Sequence, residues 1–337
     1  MTVVVAGFDF SSARKMDFSG FLDDWDDIGE AQKKPAAQPP SAPSPSTPPV
    51  PLDVELANDN PALAFLVADS VLSTRVGNGR KLKAKHEQKI RDVFIRIYVP
   101  EFTPDGYVTG SHHLRCTYSC GLAYAGNQFT FSQVLQKFER AIGELVYTWS
   151  NGKYQIVEKE SEFALQPEID RSFGDSIDFN SRDLPKLNAD FVLTIFERCV
   201  ADTIDDIFVH HRDLPQSDPA SLRAEFALAV FCVESDRPRL FHVNVVDDYT
   251  TFPSWFKVAV SEIAKHELLV LGHISWLPYF QAVQENAIRT NSSIYSAVER
   301  ECERLVRAAA SANYVGGEIS CGYIAGGLFK RGHPNIY

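Results

Sequence analysis

Residues 224–246 read AEFALAVFCVESDRPRLFHVNVV. Two apolar runs, Ala224 to Glu234 and Leu240 to Val246, are joined by Ser235-Asp236-Arg237-Pro238. Turn-forming residues between two such runs predict an antiparallel hairpin. The segments on either side carry a helical period. Val192, Ile195, Phe196, Cys199, Ile204 and Ile207 predict a buried helix from Ala189 to about Phe208. Ile294, Val298, Cys302, Leu305, Val306 and Ala309 predict another, its end marked by Asn313 and Gly316. Hairpins and helices without regular strand–helix–strand alternation predict an α+β fold, with mixed helices and antiparallel hairpins in one compact body behind an extended N-terminal arm.

Working outward, Thr130 with Gln133 reads as a capping box and Phe129 with Val134 as a hydrophobic staple. They open a helix whose core face runs through Leu135, Phe138, Ala141, Ile142, Leu145 and Val146. Val108 to Ala125 has strand composition, Pro253 stands where a helix to about His266 would open, and Leu268 to Ile274 suits a short strand. Val3 to Phe10 suits a strand able to join a sheet edge. Leu82, His86, Ile90, Val93, Phe94 and Ile97 predict the inner face of a helix stopped by Pro100. No repeat of fixed period is present.

The 337 residues are 45% hydrophobic and 23% charged with six cysteines, which excludes a collagen, a disulfide miniprotein and a wholly disordered chain. No apolar run reaches the ~18 residues of a membrane span, and Met1 to Gly7 is not a secretory leader. A soluble, cytoplasmic protein with free thiols and no membrane partner is expected. Residues 1–60 hold four basic and ten acidic side chains, −6 of the total −11. Residues 75–96 reverse the sign, with eight basic residues against Glu87 and Asp92.

Three regions follow: an acidic-aromatic segment (1–31), a proline-rich linker (32–60) and a globular α+β domain (61–337). Eight of the seventeen residues from Pro35 to Pro51 are proline, a composition that favours extended polyproline II over a packed core. Ahead of it, Phe18, Phe21, Leu22, Trp25 and Ile28 recur at helical spacing among aspartates. So short a helix needs a surface on which to lay its aromatic face. The leading expectation is therefore a non-enzymatic interaction or assembly protein, engaging a protein partner or its own copies through these five side chains. The alternative is a nucleic-acid-binding accessory protein, with Lys81, Lys85, Lys89 and Arg96 on the outer face of a basic helix (81–96).

A third class is a hydrolase or metal-dependent nuclease. Phe173-Gly174-Asp175-Ser176-Ile177 resembles the nucleophile block of GDSL-type esterases, which implies Ser176 as nucleophile. The resemblance covers five residues, polar Gln166 to Ser172 stands where that family has a buried strand, and Lys330 occupies the place of the Asp before His333. Val3 to Ser12 resembles the first strand of RNase H-like nucleases, which implies Asp9 as a metal ligand. His112, His113, Cys116 and Cys120 suggest a metal by residue type. On a strand, however, His112 and Cys116 stand ~13 Å apart, so a core strand is expected and no metal or cofactor is assigned.

Overall fold

The computed structural model describes residues 3–10, 63–70, 72–76, 80–84, 88–102, 108–150, 153–159, 184–210, 223–248, 256–272, 274–309 and 318–332. The anchors Phe18, Phe21, Leu22, Trp25 and Ile28, the linker, Lys85 and Ser176 lie outside these residues.

One sheet holds β1 (Val4–Asp9), β2 (Leu63–Asp69), β12 (Leu269–Leu271), β13 (Ile319–Ala325) and β14 (Leu328–Arg331), all antiparallel in the order β12-β1-β2-β13-β14. β1 and β2 are buried along their whole length. Burial on both faces is why they read as continuous apolar runs instead of alternating patterns. The other sheet holds β5 (Ile90–Phe102), β6 (Val108–Gly126), β7 (Leu145–Ser150), β8 (Lys153–Glu158), β9 (Ala224–Cys232), β10 (Arg237–Asp247) and β11 (Phe256–Glu262). Its order is β11-β10-β9-β6-β5-β7-β8, antiparallel except for β5 with β7. β3 (Leu72–Val76) and β4 (Arg80–Ala84) form a separate ribbon.

Helices α1 (Gln128–Gly143) and α2 (Ala189–His210) cover the outer face of the seven-stranded sheet, sharing a core with Val93, Ile95, Ile97, Leu122, Tyr124, Phe226 and Leu228. Helices α3 (Leu277–Arg289) and α4 (Ile294–Ala309) cover the outer face of the five-stranded sheet. Ala123, Ala125, Ala227 and Ala229 belong to that second core, so the alternate residues of β6 and β9 fill the space between the sheets. The result is four layers, helix–sheet–sheet–helix. The sheets approach closely where Phe329 lies against two glycines: a Cβ on Gly121 would stand 2.3 Å from its ring and one on Gly322 2.4 Å.

The α+β class, the hairpin β9–β10, α2, α4, β6 and β12 follow the sequence expectation. β1 is a strand as expected, but it lies inside its sheet, paired with both β12 and β2, and not at an edge. Helix α1 starts earlier than predicted: Asn127 is the cap, its Oδ1 accepting from Thr130 N at 2.9 Å, and Leu145 and Val146 pass into β7. Two predicted helices are strands. Within the expected basic helix 81–96, residues 81–84 belong to β4 and 90–96 to β5, where Val93, Ile95, Ile97 and Val99 are buried while Phe94 and Arg96 are exposed, a period of two that pairing with β6 enforces. The segment after Pro253 enters β11, where Phe256, Val258 and Val260 alternate along the edge of the sheet.

Candidate active site

β1 enters the five-stranded sheet beside the end of β2, where six apolar residues give way to Asp69. Asp69 N donates to Val3 O at 3.2 Å, and Val3 N donates to the Asp69 side chain, Oδ1, at 3.0 Å. The same Oδ1 accepts from Lys89 Nζ at 2.7 Å, and both side chains of this ion pair are 1% exposed. Lys89 stands immediately ahead of β5, so the pair ties the two sheets together at one end. Burial lifts the Asp69 carboxyl above its ordinary range, while the Lys89 charge and hydrogen bond, Val3 N–H and the amino-terminal charge pull it down. Asp69 Oδ2 is buried without a hydrogen-bond partner among the described residues. A buried ammonium and carboxylate in contact cost desolvation that only their mutual attraction and good geometry offset. Such a pair can also hold or release a proton where a lone surface lysine would not.

The neighbourhood is fixed from several sides. Glu318 N donates to Ser70 Oγ at 2.7 Å, joining the start of β13 to the end of β2. Arg331 bonds Gln88, which precedes Lys89, and also pairs with Asp92. Cys302 of α4 is buried, and that burial, followed by the charge of Asp69, pushes its thiol far above its ordinary value, so it is no nucleophile. On the other flank of β1, Val4 pairs with Leu271, and the next residue, Gly272, donates its N–H to Glu225 Oε2 at 3.2 Å.

The sequence-predicted residues are dispersed. Lys89, expected on a solvated basic face, is buried in the pair with Asp69 because a cation inside the molecule needs a counter-ion. Lys81 is in β4, and Arg96 is exposed on β5 with its guanidinium 5.9 Å from the centre of the Phe94 ring. Asp9 is buried, but its carboxylate serves α4: Oδ2 accepts from Ser293 Oγ at 2.5 Å and from Tyr295 N at 3.2 Å. His112, His113, Cys116 and Cys120 are strung along β6, and among the described residues no three His, Cys, Asp or Glu side chains are grouped to hold a metal ion. Asp69 was missed in the sequence. Its one local signal is an acidic residue closing an otherwise apolar strand, LAFLVAD.

No family model matches the chain, and no curated protein matches it. Among solved structures it is similar to Anbu, described as an ancestral beta-subunit, from Yersinia bercovieri, at 12% identity over 82% of this chain and 86% of that one with a TM-score of 0.39. It is similar as well to a Gly-1 mutant of Anbu from Hyphomicrobium sp. strain MC1, at 12% identity over 80% of each chain with a TM-score of 0.37.

Proposed function

We propose that the protein is an amide hydrolase whose nucleophile is Thr2, acting as an amino-terminal residue once the peptide bond between Met1 and Thr2 is cleaved. Thr2 takes the place that the hydrolase expectation gave to Ser176 or Asp9. The observation that supports it is the bridge from Val3 N through Asp69 Oδ1 to Lys89 Nζ. The carbonyl carbon of Thr2 is bonded to Val3 N, so covalent geometry alone keeps its Cα within about 3.8 Å of the Val3 Cα. An exposed amino-terminal threonine carries both parts of a nucleophilic pair, a hydroxyl and an α-amine of pKa near 8 that is free at neutral pH to take its proton.

The chemistry balances with these groups. Thr2 Oγ attacks the carbonyl carbon of the scissile amide as its proton passes to the α-amine, and the tetrahedral intermediate collapses when that proton reaches the leaving nitrogen. An ester of Thr2 and a free amine result; water, deprotonated by the same amine, then releases the acid and restores the hydroxyl. The Lys89 ammonium favours the developing alkoxide, and Asp69 holds Lys89 in place.

Mass spectrometry of the purified protein tests this directly. A chain beginning at Thr2 and acylated on that residue by a β-lactone probe is expected, with labelling lost in Thr2→Ala and kept in Thr2→Ser. A chain that keeps Met1 and resists the probe overturns the proposal.

A further inference from the structure

The two sheets differ in extent, and the difference leaves a shelf. Along β5, Val93, Ile95 and Ile97 belong to the helix-side core, so the alternate residues Asp92, Phe94, Arg96 and Tyr98 face the side of the five-stranded sheet. That sheet ends at β14, whose Arg331 takes up Asp92 and whose Phe329 ring lies on Gly121. Beyond β14 the same face is open. Phe94 is 48% exposed, Leu114, the cross-strand partner of Tyr98, is 50% exposed, and Arg96 and Arg115 are exposed with them. Two large apolar side chains and two cations, set along the about 13 Å of strand from Phe94 to Tyr98, make a surface that suits an aromatic and acidic occupant.

The chain itself carries such a sequence. Residues 16–31 hold six acidic and no basic side chains, and Phe18, Phe21, Leu22, Trp25 and Ile28 recur among them at helical spacing. A helix from 18 to 28 would be about 15 Å long, close to the length of the shelf. The connections permit the contact. β1 ends at Asp9 beside Leu63, and by extension of the β2–β13 register Leu63 is level with Ala325, whose partner on β14 is Leu328. Gly327, the residue before Leu328, accepts from Ser119 N at 3.0 Å, and Ser119 is the cross-strand partner of Phe94. Summed over these strand spacings, the route from the corner to Phe94 is roughly 20–25 Å. The eight residues from Phe10 to Phe18 reach about 26–29 Å when extended, and the 35 from Ile28 to Leu63 more than cover the return.

We infer that the open face of the β5–β6 hairpin is the docking surface for residues 16–31 of the same chain. Phe94 and Leu114 receive the aromatic side chains, and Arg96 and Arg115 attract the aspartates. The inference stands independently of the Thr2 reading.

A benzophenone amino acid in place of Trp25, irradiated in the full chain at low micromolar concentration, tests the contact by mass spectrometry. Adducts within residues 94–98 and 111–118 of the same molecule are expected. Phe94→Ser with Leu114→Ser should cut their yield at least fivefold, and Arg96→Glu with Arg115→Glu at least threefold. All four side chains are exposed, so these variants leave the core intact. A labelled peptide of residues 16–31 gives a second reading. It should bind the full chain carrying Phe18→Ser and Trp25→Ser with a Kd of roughly 100 µM, weakened by high salt. At an effective concentration on the order of 1 mM, that affinity keeps the tethered segment docked about nine-tenths of the time. Adducts elsewhere on the body, adducts only between copies, or none overturn the inference. So does peptide binding that Phe94→Ser with Leu114→Ser leaves unchanged.

Discussion

A single oxygen, Asp69 Oδ1, accepts from both a backbone amide and a buried ammonium. Deleting either charge strands the other in a low-dielectric interior, a loss of about 3–5 kcal/mol, whereas removing both exchanges an ion pair for a neutral contact. Asp69→Asn and Lys89→Met should each be strongly destabilised in urea titrations, and the double variant should lose clearly less than the two single losses added together. Additive losses would mean that the two side chains are not coupled. The pair also shows why the site was hard to read. Asp69 and Lys89 stand twenty positions apart, and each looks ordinary alone: an acid closing a strand, a lysine within a basic run. Only the packing of two sheets brings them together, and no local pattern announces it.

Elements with one dominant period were legible. The helical faces of α2 and α4 and the runs of β9 and β10 could be read because hydrophobic spacing and turn chemistry agreed. β5 was misread because Ile90, Val93, Phe94 and Ile97 satisfy a helical stripe as well as a strand, and the partner that decides between them, β6, lies beyond a turn. Asp9 was legible as the end of a strand but not as the partner of a helix almost three hundred residues later. At α4, Ser293 Oγ accepts from Ser296 N at 3.1 Å and donates to Asp9 Oδ2, which also takes the Tyr295 N–H. This two-residue cap serves orphan amides at a helix start where α4 itself has no acidic residue in its first turn. Asp9→Ala should therefore cost about 1–2 kcal/mol. Hydrogen exchange should speed first at the amides of Tyr295 and Ser296 while α1 keeps its protection; uniform loss of protection throughout the chain would contradict a local capping role.

Taken whole, the molecule places a long insertion between neighbouring strands. Asp9 and Leu63 are cross-strand partners, so the chain leaves β1 and returns to β2 at the same corner, at the end of β1 away from Val3. Replacing residues 11–62, beyond the buried Phe10, with a four- or five-residue turn leaves every β1–β2 pair intact and shortens the closed loop, which favours folding by roughly 2 kcal/mol of chain entropy. The shortened protein should melt at the same temperature or higher and keep any reactivity of Thr2 toward small acylating probes. Failure to fold would show that the inserted residues contribute to the core.

The place of β1 also orders events during synthesis. It is among the first segments made, yet it lies between β2 and β12, and β12 is made only when residues 269–271 emerge. At about 5–20 residues per second, that partner arrives roughly 15–50 s later. Until then the opening strand has an unsatisfied edge. A truncated product ending before residue 269 would therefore leave one edge of an apolar strand unpaired and prone to aggregation.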